Sequence, residues 1–272
     1  MIVASCQFYP QFKNPQNNAL RISEIISRSA SEGAKIIVFP ECALTGYCFS
    51  SKQEVFENAL EKNDECIVSI QKTCEKENIL SIVGFAEKEG NNLFNSAIII
   101  SPSGFLGVYR KTHLPFLGLD KFVVRGDALP VYEYENLKFG ILICYDVRIP
   151  EAARILALNG AQIIFVPTNW PEGAQSASDL VCPTRAIENH LFIVSSNRVG
   201  QEQGFRFIGK SKIIAPGGQI ISSADNEEET VIFADINPEL ANNKHIVKKA
   251  GEYEMQLFES RRPELYSELD EP

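Results

Sequence analysis

Three side chains of complementary chemistry each follow a short apolar run: Glu41 after KIIVF (35–39), Lys111 after FLGVYR (105–110) and Cys144 after FGILI (139–143). Unbroken apolar runs of this length are the pattern of strands buried on both faces. The carboxyl ends of such strands are where open α/β sheets bind ligands. A thiol becomes a strong nucleophile only as the thiolate, so it needs a base. A carboxylate in an apolar loop has its pKa raised toward that task, and Cys42, Ala43, Leu44, Gly46 and Tyr47 make the loop after Glu41 apolar and tight. A fixed ammonium stabilises first the thiolate and then the oxyanion of a tetrahedral intermediate, with the backbone N–H of Tyr145 as a second oxyanion donor. Each residue alone has a plainer reading. Cys144 as a small buried hydrophobe, Glu41 as a solvated loop carboxylate and Arg110-Lys111 as surface cations are all ordinary. Their recurrence at three strand ends favours a site.

The elements that must position these groups alternate helix with buried strand. Ile2–Phe8 reads as a strand, 15–31 as a helix with Ile22, Ile25, Ile26 and Ala30 on one face, and 35–39 as a second strand. Helices are predicted at 55–60 and 65–77, followed by a strand pair at 80–85 and 93–100 around Gly90-Asn91-Asn92. Thr112–Leu129 is a long irregular loop, which in a compact domain is more often functional than idle. It carries Phe116, Leu117, Leu119 and Phe122, so it must pack over something. A strand pair around Asn136 leads to Cys144, with Pro150 suited to opening the next helix. AQIIFV (161–166) and LFIVSS (191–196) are further buried strands flanking a helix over 178–190, and 207–235 reads as a closing meander. The pattern implies an α/β layered fold with a mixed sheet or sheets.

The 272 residues carry no Pro/Gly/Ser-rich linker, so one domain is expected over 1–272, with a polar, poorly periodic tail at 238–272 that needs a surface such as another subunit. A net charge of −9 disfavours nucleic acid and anionic membranes as partners. No apolar run approaches the roughly 20 residues of a membrane span, and the amino terminus lacks a signal-peptide pattern. Seven cysteines without CxxC pairs, and only three histidines, argue against a zinc site and for free thiols in a reducing cytoplasm.

FPECALTGY (39–47), YRKTHLP (109–115) and CYDVRIPE (144–151) resemble, in order and spacing, the three signature segments of the nitrilase, or carbon–nitrogen hydrolase, superfamily. PTNWP (167–171), RAIEN (185–189), NRVG (197–200), GKSKIIAPGG (209–218) and RRPELY (261–266) resemble later segments, so the similarity spans the chain. The resemblance implies an αββα sandwich with mixed β-sheets, paired into a homodimer or a higher homo-oligomer. It implies a triad of Glu41 as general base and acid, Lys111 as oxyanion stabiliser and Cys144 as thioester-forming nucleophile, with no metal or organic cofactor. Many members carry a second glutamate after the lysine. Here the matching position is Asp120, in DKF, and its shorter side chain puts that role in question.

CYDVRIPE resembles amidase-like and omega-amidase-like members, which implies hydrolysis of a small linear amide to an acid and ammonia. Tyr47, Phe116, Asn169 and Trp170 are the candidates for the pocket wall, with Phe205 or Phe207 within reach. Arg148 is expected to pair with Glu151 at a helix start rather than to greet a substrate. Three rivals stand beside this reading. One is hydrolysis of an N-carbamoyl amine or amino acid, marked by CO2 release. Another is a Cys–His site pairing Cys144 with His113 or His190. The last is a catalytically silent assembly protein of the same fold.

Overall fold

A computed structural model describes residues 1–225 and 227–270. The first half of the chain builds β1 (Ile2–Gln7), α1 (Pro15–Ser31), β2 (Ala34–Val38), α2 (Lys52–Asn58), α3 (Glu65–Glu77), β3 (Leu80–Glu89), β4 (Asn92–Ser101) and β5 (Gly104–Arg110). The second half builds β6 (Tyr132–Tyr134), β7 (Leu137–Ile141), α4 (Pro150–Leu158), β8 (Ile163–Thr168), α5 (Cys182–Asn189), β9 (Phe192–Asn197), β10 (Val199–Glu202), β11 (Phe205–Ile208), β12 (Lys212–Ile214), β13 (Ile220–Ser223) and β14 (Thr230–Asp235). Two six-stranded sheets result, ordered β14-β1-β2-β3-β4-β5 and β13-β12-β9-β8-β7-β6. In each, three neighbouring central strands run parallel (β1, β2, β3 and β7, β8, β9) and antiparallel strands complete the edges.

Side-chain alternation along the strands decides the layering. Val3, Ile36, Val38, Leu80 and Ile82 face the second sheet and share one core with Phe139, Ile141, Phe165 and Val194. Their neighbours Ala4, Cys6, Ile37 and Phe39 face outward onto Ile22, Ile25 and Ile26 of α1 and Ile67 and Ile70 of α3. Helices α4 and α5 cover the far side of the second sheet. The protein is therefore the four-layer αββα sandwich, with mixed sheets. Ser5 donates to the Ser195 carbonyl at 2.7 Å and Ser196 to the Cys6 carbonyl at 2.6 Å, so the two sheets are also pinned at their centre.

Local signals explain the helix ends. The Asn14 side chain accepts from the Asn17 N–H ahead of Pro15, and Asp64 accepts from the Cys66 N–H. The predicted helix over 178–190 is two pieces, a π turn at Ala177–Val181 and then α5. Pro183 lacks an N–H for an ordinary α-helical bond, and the wider turn ahead of it accommodates that loss. The predicted closing meander is corrected: β10 and β11 form their own ribbon, and β14 leaves the second sheet to pair antiparallel with β1 of the first. The carboxyl-terminal region is less irregular than expected, since β15 (His245–Lys249) and β16 (Tyr253–Gln256) form a hairpin. Among the described residues, no helix is long and apolar enough to cross a membrane.

Candidate active site

The carboxyl ends of β2, β5, β7 and β8 bring the polar strand-end residues together. After β2 the chain turns tightly through 40–46, with the Gly46 N–H donating to the Cys42 carbonyl at 2.9 Å and the Leu44 N–H to the Gly84 carbonyl at 3.1 Å. This loop is buried throughout and leaves Glu41 with no exposure. Lys111, equally inaccessible, follows β5 and is fixed by its own N–H, which donates to the Asn95 carbonyl at 2.8 Å. Cys144 opens a 3-10 turn at Cys144–Arg148 with φ +48, a strained left-handed conformation for a non-glycine residue. Strain of that kind persists only where the surroundings over-determine it.

Those surroundings centre on Asp146. Its fully buried carboxylate accepts from the Ile143 N–H at 2.9 Å, the His113 N–H at 2.8 Å and the Tyr109 hydroxyl at 2.8 Å. One carboxylate thus locks the cysteine turn to the strand end that carries Lys111. From the other side Arg185 donates to the Val147 carbonyl at 2.8 Å and the Arg148 carbonyl at 3.1 Å. Asp146 and Arg185 have no roles readable from sequence, although Asp146 lies only two residues after Cys144. A deeper support is Glu202, which accepts from the Tyr47 and Cys48 N–H groups and pairs with buried Arg198 at 2.9 Å.

Lys111 Nζ donates to Glu41 Oε1 at 2.7 Å and to Asp120 Oδ2 at 2.6 Å. Asn95 Nδ2 donates to Glu41 Oε1 and to Asp120 Oδ1, each at 2.7 Å. The Tyr47 hydroxyl donates to Asp120 Oδ2 at 2.8 Å. Asp120 therefore reaches Lys111 directly despite its shorter side chain, because the 3-10 turn at Gly118–Lys121 brings its backbone inward; the Leu119 N–H donates to the Tyr47 carbonyl at 2.8 Å. Asn95 was missed in the sequence. Its signal was an amide in the middle of the apolar run LFNSAIII (93–100).

The electrostatics follow from burial. Desolvation pushes the Glu41 carboxyl above its ordinary value, and the Asp120 charge adds to this while Lys111 opposes it. Burial alone pulls the Lys111 ammonium down, yet the Asp120 and Glu41 carboxylates outweigh it and hold the lysine charged. Burial pushes the Cys144 thiol up to about 12, and the Glu41 charge pushes the same way, against Lys111, the Thr168 hydroxyl and the Asn169 N–H. The resting pair is thus a neutral thiol beside a carboxylate of raised basicity. That arrangement suits proton transfer concerted with nucleophilic attack.

The remaining candidates divide. Trp170 is 2% exposed and belongs to the central core, its backbone N–H donating to Asn197 Oδ1 at 2.8 Å. Asn169 is buried with both side-chain polar atoms unpartnered, beside the cysteine its N–H approaches. Phe116 is 91% exposed, while the loop packs buried Leu119 and half-buried Leu117 around Tyr47. Tyr145 is 38% exposed and follows Cys144 in the same 3-10 turn, which places its backbone N–H next to the cysteine. Phe207 is buried and Phe205 exposed. Arg148 donates to the Ser176 hydroxyl at 3.2 Å in place of the expected pairing with Glu151. The Cys–His alternative has no geometric support, since the His113 ring nitrogen lies 2.9 Å from Asp146 and His190 caps α5 at the opposite end of the parallel strands. Among the described residues, no cluster of three or more His, Cys, Asp or Glu side chains is arranged to hold a metal ion.

This fold and strand-end chemistry meet a family match: the carbon-nitrogen hydrolase model covers residues 2–244, and the chain belongs to that family. It is an amidase-type carbon–nitrogen hydrolase of the nitrilase superfamily. A nitrilase of Pyrococcus abyssi is 36% identical over 97% of this chain and 98% of its own. An N-carbamoylputrescine amidase of Arabidopsis thaliana is 30% identical over 99% and 95%. Among solved structures, a mutant amidase of Nesterenkonia AN1 superposes with TM-score 0.83 at 25% identity, covering 98% of this chain and 95% of that one.

Proposed function

We propose that the protein hydrolyses a small linear amide to a carboxylic acid and ammonia through a thioester on Cys144. Cys144 Sγ attacks the amide carbonyl carbon while its proton passes to Glu41. Lys111 and the Tyr145 N–H hold the oxyanion. Glu41 then gives the proton to the departing nitrogen, the C–N bond breaks with its electron pair going to nitrogen, and ammonia leaves. Water attacks the thioester with Glu41 taking its proton, the C–S bond breaks, and the proton returns to sulfur.

The observation that carries this reading is the contrast in access: Glu41 and Lys111 have no exposure, while Cys144 retains 8%. Substrate therefore arrives from the cysteine side, against charges already desolvated and oriented. The unpartnered Asn169 amide supports a polar contact to the substrate, and Tyr47 and Asp120 orient Lys111 rather than line a wall. The test is ammonia release from short amides, omega-amides, N-carbamoyl compounds and nitriles, with Cys144→Ala in parallel. Equal release by both proteins removes the cysteine from the mechanism. The carbamoylputrescine relative favours one second reading, an N-carbamoyl substrate, which CO2 release alongside ammonia distinguishes.

The homo-oligomer belongs to the same proposal. Val247 and Tyr253 of the hairpin and Leu265 and Leu269 beyond it are at least half exposed, and a two-stranded hairpin is marginal alone. Analytical ultracentrifugation reads the state directly, and a monomer at micromolar concentration refutes it. Seven free cysteines suit a reducing cytoplasm.

A further inference from the structure

The hydrogen bonds at Glu41 are distributed unevenly. Oε1 accepts two, from Lys111 Nζ and Asn95 Nδ2, both at 2.7 Å. Oε2 is buried and accepts none. The donors to Oε1 also bind Asp120, Lys111 at Oδ2 and Asn95 at Oδ1, so the four side chains close a ring. In that ring both N–H bonds of one amide are spent on two carboxylates. The amide orientation is fixed by its neighbours, because its oxygen could not face two carboxylate oxygens and instead lies 3.7 Å from the Cys42 thiol. Asn95 is itself held by β4, paired with Ala86, and by the Lys111 N–H on its carbonyl.

We propose that Asn95 is a positioning residue which, with Lys111, engages Glu41 through Oε1 alone and reserves Oε2 as the atom that exchanges protons with Cys144 and the departing amine. A carboxylate with both oxygens saturated is a poor base, and one with neither held has no fixed direction. The inference rests on the reading of Glu41 as the base. In the forward step the Sγ–H bond breaks as Oε2–H forms, and the Sγ–C bond closes as the carbonyl π pair moves onto oxygen. In the next, Oε2–H breaks as N–H forms, and the oxyanion pair re-forms the carbonyl as the C–N electron pair leaves with nitrogen. A second function of Asn95 follows from the same ring, since its two N–H groups separate carboxylates that would otherwise repel across the site.

The titratable groups facing Glu41 are Lys111 after β5, Asp120 in the 3-10 turn, Cys144 in its own turn and Cys42 within the loop, with Tyr47 bonded to Asp120 behind them. Of these only Lys111 lowers the Glu41 pKa, together with the Asn95 hydrogen bond. Loss of the Asn95 donor therefore raises it.

The experiment is a pH–rate profile for a short primary amide with the wild-type protein, Asn95→Leu, Asn95→Asp and Glu41→Gln, on preparations checked by thermal melting. For Asn95→Leu, kcat falls about 100-fold with KM little changed, and the acid limb moves to higher pH. Asn95→Asp keeps the shape, removes both donors and adds charge, so its acid limb moves at least as far, and it serves where the leucine variant does not fold. A merely structural Asn95 lowers the melting temperature but leaves kcat and the acid limb in place; that result overturns the inference. If Glu41→Gln turns over at the wild-type rate, the assignment of the base fails instead. An inactive Glu41→Gln beside Asn95 variants of wild-type profile refutes the role of Asn95 alone.

Discussion

Gly84 sits in β3 directly beneath the loop that carries Glu41, and replacing it by alanine tests whether that loop's position matters to catalysis. A Cβ at Gly84 would lie 2.5 Å from the Cys42 nitrogen and 2.7 Å from Glu41 Cα, and closer still to the Pro40 carbonyl oxygen. These are backbone atoms, so no side chain can swing aside. Ordinary contact begins at 3.4 Å, so the loop must retreat by about 0.9 Å from the Cys42 nitrogen alone. The Leu44 N–H bond to the Gly84 carbonyl, now 3.1 Å, resists that retreat. Overpacking a well-filled site costs about 1–3 kcal/mol, or several degrees in melting temperature for a chain of this size. A misplacement of about 1 Å in a catalytic group is worth about 100-fold in rate. Gly84→Ala is therefore expected to stay folded, melt several degrees lower and lose about 100-fold in kcat, measured by ammonia release and differential scanning calorimetry. Wild-type kcat in Gly84→Ala would falsify the claim that Glu41 is held where its chemistry requires it.

Lys111→Met leaves Glu41 and Asp120 as unpaired buried carboxylates; breaking a buried pair in this way costs about 3–5 kcal/mol, and urea unfolding should show that loss together with abolished turnover. Asp146→Asn removes the charged acceptor that ties the cysteine turn to the Lys111 strand end, with an expected loss of about 1.5–3 kcal/mol and a fall in kcat; unchanged stability and rate refute its role as a lock. The Glu41 base works only when deprotonated, and burial and the Asp120 charge raise its pKa, so activity should fail on acidification above the ordinary carboxylate range, whereas an acid limb at or below pH 4.5 contradicts this. With the Cys144 thiol pushed up to about 12, its alkylation by iodoacetamide should still be accelerating at pH 9, and a plateau near neutrality would mean a preformed thiolate.

How far the sequence alone reaches depends on the range of the interactions involved. Buried strands announce themselves as continuous apolar runs, so the residues that end them, Glu41, Lys111 and Cys144, are visible without coordinates, as is Pro150 opening α4. Pairing partners are another matter: β14 follows β13 in the chain yet joins β1 in the other sheet, because its pattern states only that one face is buried, not against what. The site divides the same way. Local patterning marked the three strand ends, but the ring that orients them closes through Asn95, 54 residues from Glu41 in sequence, and through Asp120 on an irregular loop. Asp146 and Glu202 hold the site's loops through backbone N–H groups as well as through Tyr109 and Arg198, and every sequence position offers such an N–H equally, so no residue pattern encodes that choice of partner. Phe116 shows the converse, an aromatic in the right loop that the chain turns outward because Leu117 and Leu119 take the space around Tyr47. Residue types and their local period decide which strands form and what chemistry stands at their ends. The direction in which each lone pair and proton points is decided by contacts between segments far apart in the chain, and those exist only once the sheets have packed.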